Sequence, residues 1–83
     1  MKQILIEVFV PALGRAFDVY IPFACSMCKI EPLLVHVIAD LTDGQFVPSR
    51  DTVLCDRVTG AMLDIDMSAL ELGLHHGSRL MLI

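Results

Sequence analysis

The sequence predicts an α+β domain in which a single helix covers one face of a mixed sheet. Three observations carry this. A period-two apolar pattern runs through Ile4–Val10 and returns through Ala16–Ile21. One apolar stripe at helical spacing follows between Met27 and Leu41. The last residues, Arg79 to Ile83, alternate once more. A lone helix after a hairpin needs a sheet face to cover, and a closing strand can join that sheet parallel to the first through a right-handed crossover.

In the first strand Ile4, Ile6, Val8 and Val10 are the inward set, because Glu7 marks the other face with Leu5 and Phe9. Pro11–Arg15 is a short turn, and the returning strand points Phe17, Val19 and Ile21 inward and Asp18 and Tyr20 outward. Pro22 ends that strand, and Ser26 offers a helix cap. Pro32 lacks an N–H and crowds the carbonyl four residues back, so the pattern predicts regular helix from Lys29 or Ile30, with Pro32 in the first turn. The helix stripe is Met27, Ile30, Leu34, Val37, Ile38 and Leu41, with Leu33 at its margin; Lys29, His36, Asp40 and Asp43 lie opposite, Val35 and Ala39 between, and Gly44 ends the helix.

Gln45–Asp51, with Pro48, is a connector. Thr52–Cys55 is a short strand with Val53 and Cys55 on the inner face and Leu54 on the outer. Asp56–Gly60 is a turn, Ala61–Leu63 a brief edge strand, and Asp64–Leu72 irregular apart from one helical turn near Ser68–Leu70. Gly73 and Gly77 are corners. In the closing strand Leu80 and Leu82 face inward, and Arg79, Met81 and Ile83 outward; so apolar a strand belongs in the middle of a sheet.

With 83 residues the chain has room for one domain and one core, expected to span 1–83. Its hydrophobic fraction of 55% and mean hydropathy of +0.69 exceed what so small a core can bury. Contiguous apolar surface of that kind marks a contact with another protein or a membrane. A net charge of −4, with Lys and Arg scattered, excludes the basic stripe that nucleic acid requires. The first apolar run is broken by Glu7 and ended by Pro11, too short for a signal segment, and no run approaches the length of a membrane span. With an odd number of cysteines, three, this points to a cytoplasmic protein without membrane insertion.

The order hairpin, helix, short strands, closing strand is that of the β-grasp. The ending Gly73-Leu74-His75-His76-Gly77-Ser78-Arg79-Leu80-Met81-Leu82-Ile83 is similar to the Gly-Ile-x-x-Gly-Asp-x-Leu-x-Leu ending of the small bacterial YukD/EsaB family of ubiquitin-like proteins, which are associated with type VII secretion. Phe17-Asp-Val-Tyr-Ile-Pro22 and the helix positions Ile30, Leu34 and Ile38 match more loosely, and Ser78 replaces the common Asp. The resemblance spans nearly the whole chain. It implies a non-conjugating ubiquitin-like interaction module, accessory or regulatory to a type VII system and peripheral to its membrane complex. It equally allows a stand-alone relative of the ubiquitin-like domain carried by a type VII membrane component. A degenerate β-grasp sulfur carrier is the third reading. The sequence runs to Ile83 within the strand with no Gly-Gly tail, and Lys2 and Lys29 are its lysines, so conjugation and sulfur transfer are not expected.

No residue set announces catalysis: there is no oriented nucleophile and base, and no glycine-rich phosphate loop. Cys25-x-x-Cys28 is half a metal site or a redox pair, and adding Cys55, His36 or the His75–His76 pair gives no recognised zinc spacing. The expectation is ordinary thiols, solvated histidines and no cofactor. What remains is the face the helix does not cover. Leu5, Phe9, Tyr20, Leu54, Met81 and Ile83 are its expected apolar members, and secretion-system proteins or a second copy of the chain its expected partners.

Overall fold

A computed structural model describes residues 2–47 and 52–83, so the Pro48–Asp51 part of the expected connector lies outside the described residues. The elements are β1 (Gln3–Val10), β2 (Arg15–Pro22), α1 (Met27–Leu41), β3 (Leu54–Asp56), α2 (Ala69–Leu72) and β4 (Arg79–Leu82). They form a four-stranded sheet in the order β2-β1-β4-β3. β1 is antiparallel to β2 and parallel to β4, and β4 is antiparallel to β3. The closing strand therefore lies inside the sheet, as its apolar alternation requires.

One face of this sheet and one side of α1 make the core: Ile4, Ile6, Val8, Val10, Phe17, Ile21, Leu80 and Leu82 meet Met27, Ile30, Leu34 and Ile38. The inward set of β1 matches the sequence expectation residue for residue. Val19 is half-buried at the margin.

The helix departs from expectation at both ends. It starts at Met27, with Ser26 as N-cap and Pro32 in its second turn. The Ser26 hydroxyl makes no cap bond; instead the Met27 and Cys28 amides donate to the carbonyls of Met67 (2.9 Å) and Ile65 (2.8 Å). A distant loop thus supplies the acceptors that a helix start lacks, which sequence spacing alone does not reveal. Pro32 has no N–H to offer the Cys28 carbonyl four residues back, and both residues are exposed. At the other end the buried row runs Met27, Ile30, Leu34, Ile38 and then Thr42, leaving Leu33 and Leu41 57% and 55% exposed and Val37 half-buried. Thr42 donates to the Ile38 carbonyl at 2.8 Å and accepts from the Phe46 amide, which draws Phe46 into the core. Asp43 and Gly44, both at positive φ, then turn the chain away.

β3 corrects the expected strand. Its register pairs Leu54 with Leu82 and Cys55 with Met81, so Leu54 faces the helix and is 3% exposed. Val53 and Cys55 face the other way, yet Cys55 is only 2% exposed because Met62 forms a bridge beside it. A three-residue strand buried on both sides carries too little alternation to set its own phase. The expected Ala61–Leu63 edge strand reduces to that bridge. The helical turn near Ser68 is α2, closed by a capping box: the Ser68 hydroxyl accepts from the Glu71 amide, and the Glu71 carboxylate accepts from the Ser68 amide. Gly73, at φ 75°, ends it in the left-handed conformation that only glycine adopts freely.

These placements set stability expectations. Leu54→Ala and Leu80→Ala should each cost about 2–5 kcal/mol in denaturant unfolding, as buried leucines do. Met81→Ser, on the opposite face, should cost about 1 kcal/mol or less. Comparable losses at Leu54 and Met81 would contradict the register.

Candidate protein-interaction surface

The register that fixes the core also arranges the uncovered face into rows across the strands. The middle row reads Asp18, Glu7, Arg79 and Arg57 from β2 to the end of β3. On one side of it lie Tyr20 and Leu5, with Gly77 continuing the row as its amide donates to the Leu5 carbonyl at 2.8 Å. On the other side lie Ala16, Phe9, Met81 and Cys55, followed by Met62. Ile83 sits beyond Met81, its amide and carbonyl both paired with Val53.

Five of the six expected surface residues thus share this face. Tyr20 is 61% exposed and Ile83 is exposed, while Leu5, Phe9 and Met81 are half-buried. The sixth, Leu54, belongs to the core.

Arg57 was not anticipated. It follows β3, reaches across β4, and its guanidinium contacts the Glu7 carboxylate while lying 4.2 Å from the centre of the Phe9 ring. Phe9 is therefore capped by a cation rather than bare, so the middle of the face combines apolar and charged character. The turn that positions Arg57 is built locally: the Asp56 carboxylate accepts from the Val58 and Thr59 amides, and the Gly60 amide closes onto the Asp56 carbonyl. Only the strand register brings Arg57, fifty positions away, over Glu7; the one sequence signal was that Glu7 and Arg79 both fall on the outward phase.

The histidine loop is tied down on the same side. The Leu5 amide donates to Nδ1 of His76 at 3.0 Å, which places the neutral ring's proton on Nε2. The His75 amide donates to the Ser78 hydroxyl at 3.0 Å, which closes the turn locally. His75 and His76 are both exposed. His36 pairs loosely with Asp40 at 3.4 Å on the helix surface. Cys25 is half-buried and Cys28 exposed beside the start of α1, whereas Cys55 is buried in the sheet. Among the described residues no three His, Cys, Asp or Glu side chains gather to hold a metal.

No protein-family model matches the sequence, and no curated protein matches it. Solved structures do. The ubiquitin-like domain of the type VII secretion protein EccD1 from Mycobacterium tuberculosis superposes with a TM-score of 0.81 at 20% identity, over 100% of this chain and 99% of that one. The fold is ubiquitin-like. The ubiquitin-like domain of EccD5 from Mycobacterium xenopi gives 0.78 at 20% identity, covering 100% and 94%. A chain of the MycP5-free ESX-5 inner membrane complex gives 0.82 at 19%, with 100% of this chain covering 21% of that one. At these identities the likeness establishes the fold. Two of these neighbours are ubiquitin-like domains of EccD proteins, the first of them from a type VII secretion system.

Two outcomes follow. A double-mutant cycle on Glu7→Gln and Arg57→Ala should give a coupling of about 0.5–1 kcal/mol at low salt, shrinking as salt rises, as for a partly exposed pair; zero coupling at low salt would show that the brace does not form. The purified ubiquitin-like domain should carry no stoichiometric zinc, and a chelator should leave its Tm unchanged. Zinc near one equivalent, lost together with stability, would assign Cys25 and Cys28 a structural role.

Proposed function

We propose that this ubiquitin-like domain is a non-conjugating interaction module, an accessory or regulatory component of a type VII secretion system that binds other secretion proteins through its helix-free sheet face. One observation carries the reading: a face formed by all four strands presents Leu5, Phe9, Tyr20, Met81 and Ile83 to solvent around a charged middle row. Large apolar and aromatic groups beside fixed charges give an interface both affinity and orientation. The likeness to EccD domains supports the secretion setting, and the match to an inner membrane complex chain supports a place at the membrane periphery. Among the described residues no helix is long and apolar enough to cross a membrane. On this reading its work is contact with other proteins.

A second reading is favoured by the near-complete overlap with an isolated EccD1 domain: the chain serves as a structural assembly part, equivalent to that domain. The readings predict different partners on the same face, a regulatory or cytoplasmic protein in the first and a membrane component in the second.

The test is calorimetry against the purified cytoplasmic portions of the type VII components from the same cells. Tyr20→Ser and Met81→Ser should each weaken binding by about 2 kcal/mol, roughly thirtyfold, without unfolding the domain. Leu33→Ser, on the outer side of α1, should leave binding unchanged. Retained binding by both face variants would overturn the assignment.

A further inference from the structure

We propose that His75 and His76 form an acid-released latch: neutral His76 ties the α2–β4 loop to β1, and protonating its ring releases that tie. The inference goes beyond the binding role and stands whatever protein the sheet face meets. It begins with a displaced rung. The Glu7 amide donates to the Ser78 carbonyl at 2.9 Å, in the parallel register that pairs Glu7 with Arg79. Two residues earlier on each strand, the same ladder would send the Leu5 amide to the His76 carbonyl. It goes instead to the His76 side chain, reaching Nδ1 at 3.0 Å.

The loop carbonyls are spent within the loop. His75 Nδ1 lies 2.9 Å from the His76 carbonyl, and the Ser78 amide donates to the His75 carbonyl at 3.0 Å. A carbonyl oxygen only accepts, so Nδ1 of His75 carries a proton. An amide N–H only donates, so Nδ1 of His76 carries none. Neighbouring histidines therefore hold opposite tautomers: the His76 ring stands in for the carbonyl that the His75 ring has occupied.

The two rings answer acid differently. A protonated imidazole donates from both nitrogens. His75 keeps its bond to the His76 carbonyl, because that bond already uses an N–H. His76 loses the lone pair at Nδ1, and two N–H groups then point at each other. The ring must leave the Leu5 amide, while the Gly77 amide still holds the Leu5 carbonyl at 2.8 Å and keeps the loop backbone close. Both rings are exposed, so protons reach them freely.

The charged and titratable groups around the latch are Lys2 and Glu7 on β1, Asp18 and Tyr20 on β2, Glu71 on α2, Asp56 and Arg57 at the end of β3, and Arg79 on β4. Glu7 is paired with Arg57, Asp56 accepts from the Val58 and Thr59 amides, and Glu71 caps α2. Among the described residues neither loop histidine has a carboxylate partner, so no ion pair compensates a charge on His76. Leu5, Tyr20 and Gly77 share a row of the helix-free face, so the latch sets the shape of one end of that face.

The test is nuclear magnetic resonance on the ¹⁵N-labelled chain from about pH 8 to about pH 5, a span that brackets the pKa of a free imidazole near 6.5. At the upper end a ¹⁵N–¹⁵N coupling through the hydrogen bond should join the Leu5 amide to Nδ1 of His76. The ring nitrogen shifts should place the His76 proton on Nε2 and the His75 proton on Nδ1. On acidification the coupling should vanish, and the Leu5 amide should shift with the midpoint of the His76 ring while the β1–β2 ladder stays formed. His76→Asn carries an amide oxygen near the position of Nδ1 and does not titrate, so its Leu5 amide should be flat across the range. His76→Ala removes the acceptor and should lower Leu5 exchange protection at pH 8 by roughly three- to tenfold, the worth of one net hydrogen bond. The coupling and the tautomers are read on the unmodified chain, so they decide the matter even where a variant fails to fold. No coupling at pH 8, a His76 ring protonated on Nδ1 there, a Leu5 amide indifferent to acid, or a pH response that survives in His76→Asn would each overturn the latch.

Discussion

The structure depends on β4 holding its place between β1 and β3. Its amides and carbonyls pair on both sides, parallel to one neighbour and antiparallel to the other. Leu80 and Leu82 go into the core with no exposed surface, which anchors the strand's phase. Once that phase is set, no freedom remains for Arg79 and Met81: they must project from the opposite face, in register with Glu7 and Phe9. The candidate interaction surface is in this sense the reverse side of the core. A one-residue slip of β4 would bury Arg79 and expose Leu80, so the same apolar contacts that stabilise the fold also fix where the charges stand.

The loops are organised by the same strand. Gly77, at φ 87°, bends the histidine loop so that Gly77 and His76 both engage the backbone of Leu5 before β4 begins. On its other side β4 receives the Arg57 amide through the Arg79 carbonyl, which delivers the Arg57 side chain over Glu7 and Phe9. The segment leading into α2 has its own tie, since Ile65 and Met67 accept from the first amides of α1. The segment between β3 and α2, irregular in sequence, is thus held by backbone bonds at defined points, with little apolar burial of its own.

Much of this was legible where the alternation was long. Eight residues in β1, with Glu7 as a marker, set its phase beyond doubt, and the pattern of Leu80 and Leu82 did the same for β4. The failures fall where local signals were short or where the decisive partner was far away in sequence. The sequence expectation of an outward Leu54 fails because a run of four residues with apolar groups on both sides has no intrinsic phase; only pairing with Leu82 decides it. Pro32 points to a helix start at Lys29 or Ile30, whereas loop carbonyls beyond the third strand pair with the first amides and start the helix two or three residues earlier, at Met27. Helical spacing carries the apolar stripe through Leu41, but the hydroxyl of Thr42 returns to the Ile38 carbonyl and Thr42 is buried in its stead. Arg57 carried no local signal at all. Its role exists only in the assembled sheet.

Among the described residues, the uncovered sheet face and the outer ridge of α1 with Leu33 and Leu41 both expose apolar side chains to a partner. The sheet face alone combines aromatic area, fixed charge and a rigid backbone beneath every side chain, so it is the surface on which association should occur. The direct measurement is amide chemical-shift mapping of the ¹⁵N-labelled protein as association proceeds, whichever protein is the partner. The account predicts that the shifted amides cluster at Leu5, Phe9, Asp18, Tyr20, Arg79 and Met81, with α1 silent. Shifts gathered instead along Leu33, Val37 and Leu41 would contradict it and move the functional surface to the helix.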